Sequence, residues 1–266
     1  MNQISLEIRS ADGVVQATGT DAGQAQLVYE RAYEPGDQII LRSEHIDVYL
    51  VIQLDDAMDP AFIYMTGHEY RFVIPFDEKK KSYSLKSFSG ELHALTARMA
   101  AKHEIDAYKN LALNVYDQHE NETVYPHAVA NVETRGESVF AARNAINGNT
   151  VNFSHGKWPF ESWGINQKKD AEITVNFGRL VEIDQIALTI RADFPHDNYW
   201  ERVTLAFSDG STYVAELKKT HLQQMINLEP RKVEWVTLKE LIQSDDPSPF
   251  PALTQFEIFG REASKS

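Results

Sequence analysis

The sequence predicts a mainly β protein built from two β-sandwich domains, with a short helix near their junction. In residues 1–76, short apolar or alternating segments recur at a spacing of roughly ten residues, as in sandwiches and small barrels. Asp-Gly, Pro-Gly and Asp-Pro turn signals separate these segments. A polar stretch at 114–126 precedes a second β-rich half, so we predict domains at 1–118 and 119–266.

The first half contains predicted strands followed by a charged connector. Ile4, Leu6 and Ile8 alternate with polar residues, which is the pattern of a strand with one buried face. Residues 48–54 are almost continuously apolar, which favours a strand buried on both faces. The charge run at 77–81 is typical of a solvated connector rather than a binding patch.

A helix is predicted at 104–113, because apolar residues recur there at helical spacing. Two of these residues, Tyr108 and Leu111, are expected to pack the first domain against the second. The sequence of 1–118 contains no feature that assigns it a function.

The second half alternates polar and apolar residues in a series of segments, each typical of a half-buried strand. A long loop with three prolines, at 239–251, precedes the last of them. The clearest alternating segments are 171–177, 183–191, 202–207, 232–238 and 255–259.

Composition excludes several classes of function. The chain has no cysteine, so disulfides and thiolate metal sites are ruled out. A net charge of −13 argues against a nucleic-acid or anionic-membrane partner, since these ligands need a basic surface. The first residues lack the basic and apolar regions of a signal peptide, and no run approaches the ~20 apolar residues of a membrane span. We therefore expect a cytoplasmic protein, unless it is exported by a non-classical route. The oligomeric state is left open.

A series of motifs in the second half resembles a known family. An Asn147-Gly148 turn is followed by Trp163, a strand ending in Phe177-Gly178, and a closing strand with Glu257-Ile258 before a glycine. In this order the motifs resemble the discoidin, or coagulation-factor type C, domain over 125–262. This group includes the family 32 carbohydrate-binding modules. The resemblance implies a galactose-binding-like jelly roll for the C-terminal domain, and a carbohydrate as partner.

The resemblance also implies a structural calcium ion near the Asn-Gly turn. The positions that match the family's ligands are Asn147, Thr150 and Glu257. The family has an aspartate where this chain has Asn147, and a neutral oxygen ligand is expected to weaken calcium binding. The alternative is that Asn147-Gly148 is simply a turn that tolerates a left-handed backbone.

Two loops carry the residue types that recognise sugars. Sugar binding needs an aromatic face for the C–H side of the ring and planar polar groups for the hydroxyls. Residues 154–164 and 191–200 offer both, whereas Trp163 and Trp200 are expected in the core. Each candidate also has a structural alternative, such as Arg191 paired with a neighbouring carboxylate. The candidate ligand-binding residues are His155, Lys157, Trp158, Phe160, Arg191, Asp193, His196 and Asp197.

The sequence favours binding without catalysis. None of the common nucleophile, zinc-protease or nucleotide-binding motifs occurs. We expect a non-catalytic carbohydrate-binding protein in which Trp158 or Phe160 stacks on the sugar. The alternative is an intracellular protein-interaction or scaffold module. A glycoside-processing enzyme is less well supported, because it needs two carboxylates flanking the bond, and acidic residues are common throughout this chain.

Overall fold

The computed structural model describes residues 2–193 and 196–263. The predicted fold class is confirmed: the chain is mainly β, with 47% of residues in strands and 8% in helices, as expected of β-sandwich jelly rolls. None of the helices in the described ranges is long and apolar enough to cross a membrane.

The N-terminal half consists of two antiparallel sheets. One sheet has the strand order β2-β1-β4-β7, and the other has the order β10-β6-β5-β8-β3. Their apolar faces meet in one core that includes Leu6 of β1 and Leu50 of β5, both fully buried. The strands are β1 (Gln3–Arg9), β2 (Val15–Ala22), β3 (Gln24–Tyr29), β4 (Gln38–Ser43), β5 (Val48–Gln53), β6 (Ala61–Met65), β7 (Glu69–Val73), β8 (His93–Met99) and β10 (Val124–Tyr125).

Strand β5 differs from the expectation of burial on both faces. Its residues alternate between buried and half-buried positions. The half-buried face contacts polar groups of the C-terminal half. The Tyr49 hydroxyl donates to Glu262 Oε2 at 2.9 Å, and Arg179 forms an ion pair with the same carboxylate at 2.6 Å. The apolar run therefore serves one core, and its second face meets a buried ion pair of the C-terminal half.

The C-terminal half is an eight-stranded antiparallel sheet. The central order is β12-β17-β13-β16-β14-β15, with β11 on β13 and β9 on β17. A second core of apolar side chains, including Trp163 and Phe256, lies within it. The strands are β9 (Lys109–Asn110), β11 (His127–Ala130), β12 (Trp163–Gly164), β13 (Ile173–Arg191), β14 (Trp200–Phe207), β15 (Thr212–Glu216), β16 (Gln224–Gln243) and β17 (Ala252–Glu262).

Strand β13 is long, and its pairing with β16 is interrupted by register irregularities, which bend a strand locally. The first lies between Asn176 and Val181 and contains Gly178 at a φ of 66°. A Cβ at Gly178 would lie 2.3 Å from the ring of Tyr125, so no other residue fits this position. The Phe-Gly pair of the sequence motif thus marks an irregularity where the sheet approaches Tyr125.

The predicted helix at 104–113 is shorter and begins earlier. The helix α2 spans Lys102–Asp106, and a second one-turn helix, α1, spans Asp77–Lys80 in the charge run. Helix α2 ends because Ala107 is extended, and the Lys109 ammonium donates to its last carbonyls, those of Glu104 (2.9 Å) and Ile105 (2.8 Å). Residues 107–113 keep the helical spacing of apolar side chains but are not helical. Leu111 among them is buried in the C-terminal core instead.

Of the two residues expected at the domain contact, each has a distinct role. Leu111 is 3% exposed and belongs to the C-terminal core. Tyr108 is 42% exposed and stacks on Phe259, while its hydroxyl donates to Asp184. The connecting segment thus pairs with the C-terminal sheet at β9 and then with the N-terminal sheet at β10. The domain boundary at 118/119 stays a prediction.

In the segment that joins the two halves, the buried carboxylate of Asp117 is hydrogen-bonded to His127. Asp117 is fully buried, and one of its oxygens lies 2.7 Å from Nδ1 of His127, while the other accepts the backbone N–H of Ala128 at 3.0 Å. Burial alone would lower the pKa of His127, but the hydrogen bond and charge of Asp117 raise it above its ordinary value of 6.5. This contact stabilises the fold while His127 carries its proton.

The raised pKa of His127 predicts a pH-dependent stability. The stabilisation is fully present below about pH 6.5 and is lost as the pH rises through the folded-state pKa. We expect His127→Gln to lower the free energy of unfolding more at about pH 5.5 than at about pH 8.5, measured by urea denaturation. The control is His119→Gln, whose side chain is 78% exposed. An equal cost at both pH values would contradict the prediction.

Candidate functional site

The two loops that carry the predicted binding residues are neighbours at one end of the C-terminal sheet. The rings of His155 and His196 lie 5.0 Å apart between centroids. The Arg191 guanidinium donates to the carbonyl oxygen of Phe160 at 2.8 Å. A cavity of about 170 Å³ adjoins the loops, and both histidines line it together with Phe250, whereas most of its other lining residues belong to 134–140, 164–167 and 249–252. The two loops and residues 249–252 therefore lie together at this end of the sheet, and we call this region the mouth.

The stretch at 154–164 divides into an exposed and a buried part. The backbone N–H of Phe153 donates to the carbonyl of Pro159 at 3.2 Å, which closes the exposed part into a loop. Trp158 at its tip is 38% exposed. Trp163 is fully buried, and its indole N–H donates to the carbonyl of Val132 at 2.9 Å. Trp163 therefore belongs to the core, where its ring packs 6.4 Å from that of the buried Trp200.

Phe160 does not share the exposure of Trp158. Only 7% of Phe160 is exposed, so its ring offers no face to a ligand. Of the two predicted stacking residues, Trp158 alone presents an accessible ring. Phe160 instead contributes its backbone carbonyl, which fixes the Arg191 guanidinium.

Sequence reasoning missed two exposed aromatic rings near this mouth. Phe153 is 75% exposed and immediately precedes the stretch at 154–164. Phe250 is 48% exposed and lines the cavity between Pro249 and Pro251. The flanking prolines are the signal for Phe250, because they prevent a regular strand that would bury the ring.

Arg191 and Asp193 form a buried-to-surface ion pair. Arg191 is 1% exposed and donates to both carboxylate oxygens of Asp193, from Nε to Oδ1 at 3.1 Å and from Nη2 to Oδ2 at 3.0 Å. Burial raises the pKa of the Asp193 carboxyl, but the hydrogen bond and charge of Arg191 outweigh this and lower it below the ordinary value. Asp193 is thus an ionised hydrogen-bond acceptor and is unsuited to act as a general acid. Arg191 positions Asp193 and the loop at Phe160.

His196 has one ring nitrogen without a hydrogen-bond partner among the described residues. Its Nδ1 lies 2.6 Å from the carbonyl oxygen of Phe250, so Nδ1 carries the hydrogen. Burial lowers the pKa of His196, which keeps the ring neutral near pH 7. Nε2 is then a lone-pair acceptor, and it is buried without a partner among the described residues. A buried acceptor of this kind can take a hydrogen bond from a ligand hydroxyl.

The remaining predicted residues are His155, which lines the cavity, and Lys157 and Asp197, which do not. His155 and Lys157 are exposed, and the Ser154 hydroxyl donates to the Lys157 carbonyl at 3.4 Å. Asp197 is half-buried beside His196. Whether each predicted residue contacts a ligand stays a prediction; the structure brings them to the same end of the sheet.

The turn that was predicted to hold calcium is filled by an amide group. Gln255, 1% exposed, places its Nε2 within 2.6 to 3.2 Å of four oxygens. The backbone N–H of Gly148 donates to Gln255 Oε1 at 2.9 Å, which fixes the orientation of the amide. The four oxygens are Oδ1 of Asn147 and the carbonyls of Asn144, Asn149 and Thr254.

The three predicted calcium ligands do not fit the ion in this arrangement. Oδ1 of Asn147 accepts from Gln255, and Thr150 is exposed. The Glu257 carboxylate accepts from the side chain of Gln223 at 2.5 Å. A neutral N–H₂ group takes the position in which a cation would neutralise the oxygens of the turn. A group of acidic and histidine side chains able to hold a metal ion does exist, in the N-terminal half at Asp55, Asp56 and His93.

Comparison with known proteins returns structural likenesses only. No family model matches the chain, and no curated protein matches it. The chitosan-binding module 1 of a chitosanase/glucanase from Paenibacillus sp. IK-5 is 20% identical, with a TM-score of 0.42, over 57% of this chain and 98% of that one. The family 32 CBM of NanJ from C. perfringens, solved in complex with galactose, is 20% identical, with a TM-score of 0.37, over 50% and 91%.

A third likeness is to the lectin binding domain of Lectinolysin, complexed with Lewis b. It is 16% identical, with a TM-score of 0.42, over 59% of this chain and 99% of that one. At such identities and TM-scores nothing about the ligand of this chain follows. Two of these three structures are described as a chitosan-binding module and a family 32 CBM, and the sequence motifs of this chain resemble the group that includes family 32.

Proposed function

We propose that the chain binds carbohydrate, without catalysing a reaction, at the mouth formed by residues 154–160, 191–193, 196–198 and 249–252. The observation that carries the proposal is the buried Nε2 of His196, which has no partner among the described residues and belongs to a residue that lines the cavity with the exposed Phe250. The likenesses to carbohydrate-binding modules support carbohydrate as the general class of partner.

The groups at this mouth match the two faces of a sugar. The C–H face of a pyranose ring packs on an aromatic side chain, for which Phe250 and Trp158 are available. Hydroxyl groups donate to acceptors, and the ionised Asp193 and the neutral His196 supply them. Asp193 is held rigidly by Arg191, so little conformational entropy is lost when it binds a hydroxyl.

Removing either exposed ring is the direct test. We expect the wild type to bind at least one sugar on a glycan array, with the affinity then measured by calorimetry. Trp158→Ala and Phe250→Ala should each weaken binding by roughly tenfold, because each removes a stacking surface. The matched control is Tyr213→Ala, which removes a ring of similar exposure (39%) on β15. Absence of sugar binding by the wild type would overturn the proposal, as would equal effects of all three substitutions.

A protein partner is the second candidate. Val151 and Phe153 are 62% and 75% exposed in the same loop as Trp158, and exposed apolar side chains favour protein contacts when they cluster. A partner protein would need these two residues, whereas the sugar proposal does not. If Val151→Ser and Phe153→Ser leave sugar binding unchanged, the loop tip is separate from the sugar site.

A further inference from the structure

Three ligand-type side chains converge at one end of the N-terminal sandwich, away from the mouth. Asp55 and Asp56 follow strand β5, and His93 begins strand β8. One carboxylate oxygen of each aspartate and one ring nitrogen of His93 all lie within 4.8 Å of one another. Asp55 and His93 are buried, whereas Asp56 is exposed to solvent. The group therefore has a closed side and an open side.

The buried histidine of this group lacks a hydrogen-bond partner. His93 is 1% exposed, and its Nε2 has no partner among the described residues. The hydroxyl of Tyr33, whose ring lies 4.2 Å from that of His93, is buried and unpartnered as well. Leaving a buried polar atom without a partner destabilises the fold, and two such atoms on neighbouring rings point to a missing ligand.

Asp55 retains the capacity to bind a cation. Its two oxygens accept the backbone N–H groups of Ala57 (2.9 Å) and Phe88 (2.6 Å), which leaves a free lone pair on each oxygen. Within the described ranges, no ion pair of 4.0 Å or less involves Asp55, Asp56 or His93. The ammonium of Lys80 acts on Asp55 electrostatically but is hydrogen-bonded to Ser89 at 3.4 Å. The backbone bonds fix the carboxylate without neutralising it.

We propose that Asp55, Asp56 and His93 bind one divalent transition-metal ion, such as Zn²⁺ or Mn²⁺. An imidazole nitrogen with two carboxylate oxygens suits these ions, whereas calcium prefers oxygen ligands throughout. Two ligands on one such ion are separated by at most about 4.2 Å, twice a metal–ligand distance of about 2.1 Å. The observed spread needs only a small closure, which the exposed Asp56 can supply. The ion would tie the end of β5 to the start of β8.

Metal binding to the full chain, prepared without a histidine tag and treated with chelator, tests the proposal. We expect calorimetry with Zn²⁺ or Mn²⁺ alone to show a site whose affinity falls at least about tenfold in Asp56→Asn. The matched control is Asp59→Asn, an exposed aspartate of the same turn region that is not in the group. The melting temperature of the wild type should also rise with the metal, because the ion binds only the folded chain.

Two further variants distinguish metal binding at this site from metal binding at other histidines. His155→Ala removes the exposed half of the histidine pair at the mouth and should leave the Asp56-dependent site intact. His93→Gln should abolish that site; if this variant does not fold, the exposed Asp56 decides the question. No binding by the wild type at millimolar metal, or equal affinities of Asp56→Asn and Asp59→Asn, would overturn the proposal.

Discussion

Gln255→Glu is expected to convert a calcium-independent turn into a calcium-dependent one. In the native protein the amide N–H₂ group of Gln255 faces four oxygens, and a carboxylate would oppose them with negative charge. We expect the substitution to lower the free energy of unfolding by roughly 2 to 4 kcal/mol in chelator, because the buried charge has no cation. Millimolar calcium should recover much of this loss, since it binds the oxygens of the folded state only.

Thermal and urea denaturation, each with chelator and with calcium, measure the effect. The neutral control is Gln255→Met, which is of similar size and should be destabilised without any response to calcium. The wild type should melt at the same temperature under both conditions. A wild type stabilised by calcium, or a Gln255→Glu protein indifferent to it, would show that the amide does not replace a cation.

Arg191→Ala is expected to produce the largest loss of stability at the mouth. The substitution leaves the carbonyl of Phe160 and the carboxylate of Asp193 without their buried donors. Breaking a fully buried ion pair costs about 3 to 5 kcal/mol. Because the Asp193 side chain is 33% exposed and can be solvated, we expect about 2 to 3 kcal/mol here, together with loss of sugar binding.

Arg191→Lys separates charge from geometry. Lysine keeps the positive charge but not the planar fork that reaches Asp193 and Phe160 together, so we expect an intermediate stability.

Asp193→Asn should also be destabilising, and the double variant with Arg191→Ala should cost less than the sum of the two. Urea denaturation of the wild type, Arg191→Ala, Asp193→Asn and their double variant gives the coupling energy between the two side chains. Additive effects would mean that the two side chains do not stabilise each other.

The strands could be predicted because their signal is local. Gln3–Arg9 alternates apolar and polar residues, and its burial alternates in the same way. The helix near the junction was predicted with the wrong bounds, since the residues after Asp106 bury their apolar side chains against the C-terminal sheet. Apolar spacing reports that a residue is buried, but not which element buries it.

The candidate site could be predicted only in outline. The two loops were identified from their residue types, and they do meet, at His155 and His196. The exposure of Phe250 and the burial of Phe160 depend on the path of each loop. For the calcium site, Glu257 is the position that matches the family's closing glutamate, yet Gln255, two residues earlier, is the side chain that reaches the turn.

By itself the sequence determined that the chain is mainly β, that its second half carries the motifs of a jelly roll, and which two loops hold the aromatic and polar groups. These properties follow from alternation, turn residues and composition, all of which act over a few neighbouring residues. Only the tertiary structure decided that Gln255 fills the turn at Asn147, more than a hundred residues away, and that His93 lies beside Asp55. Such contacts depend on strand pairing between distant segments, and one sequence contains no local signal for the partner of each side chain.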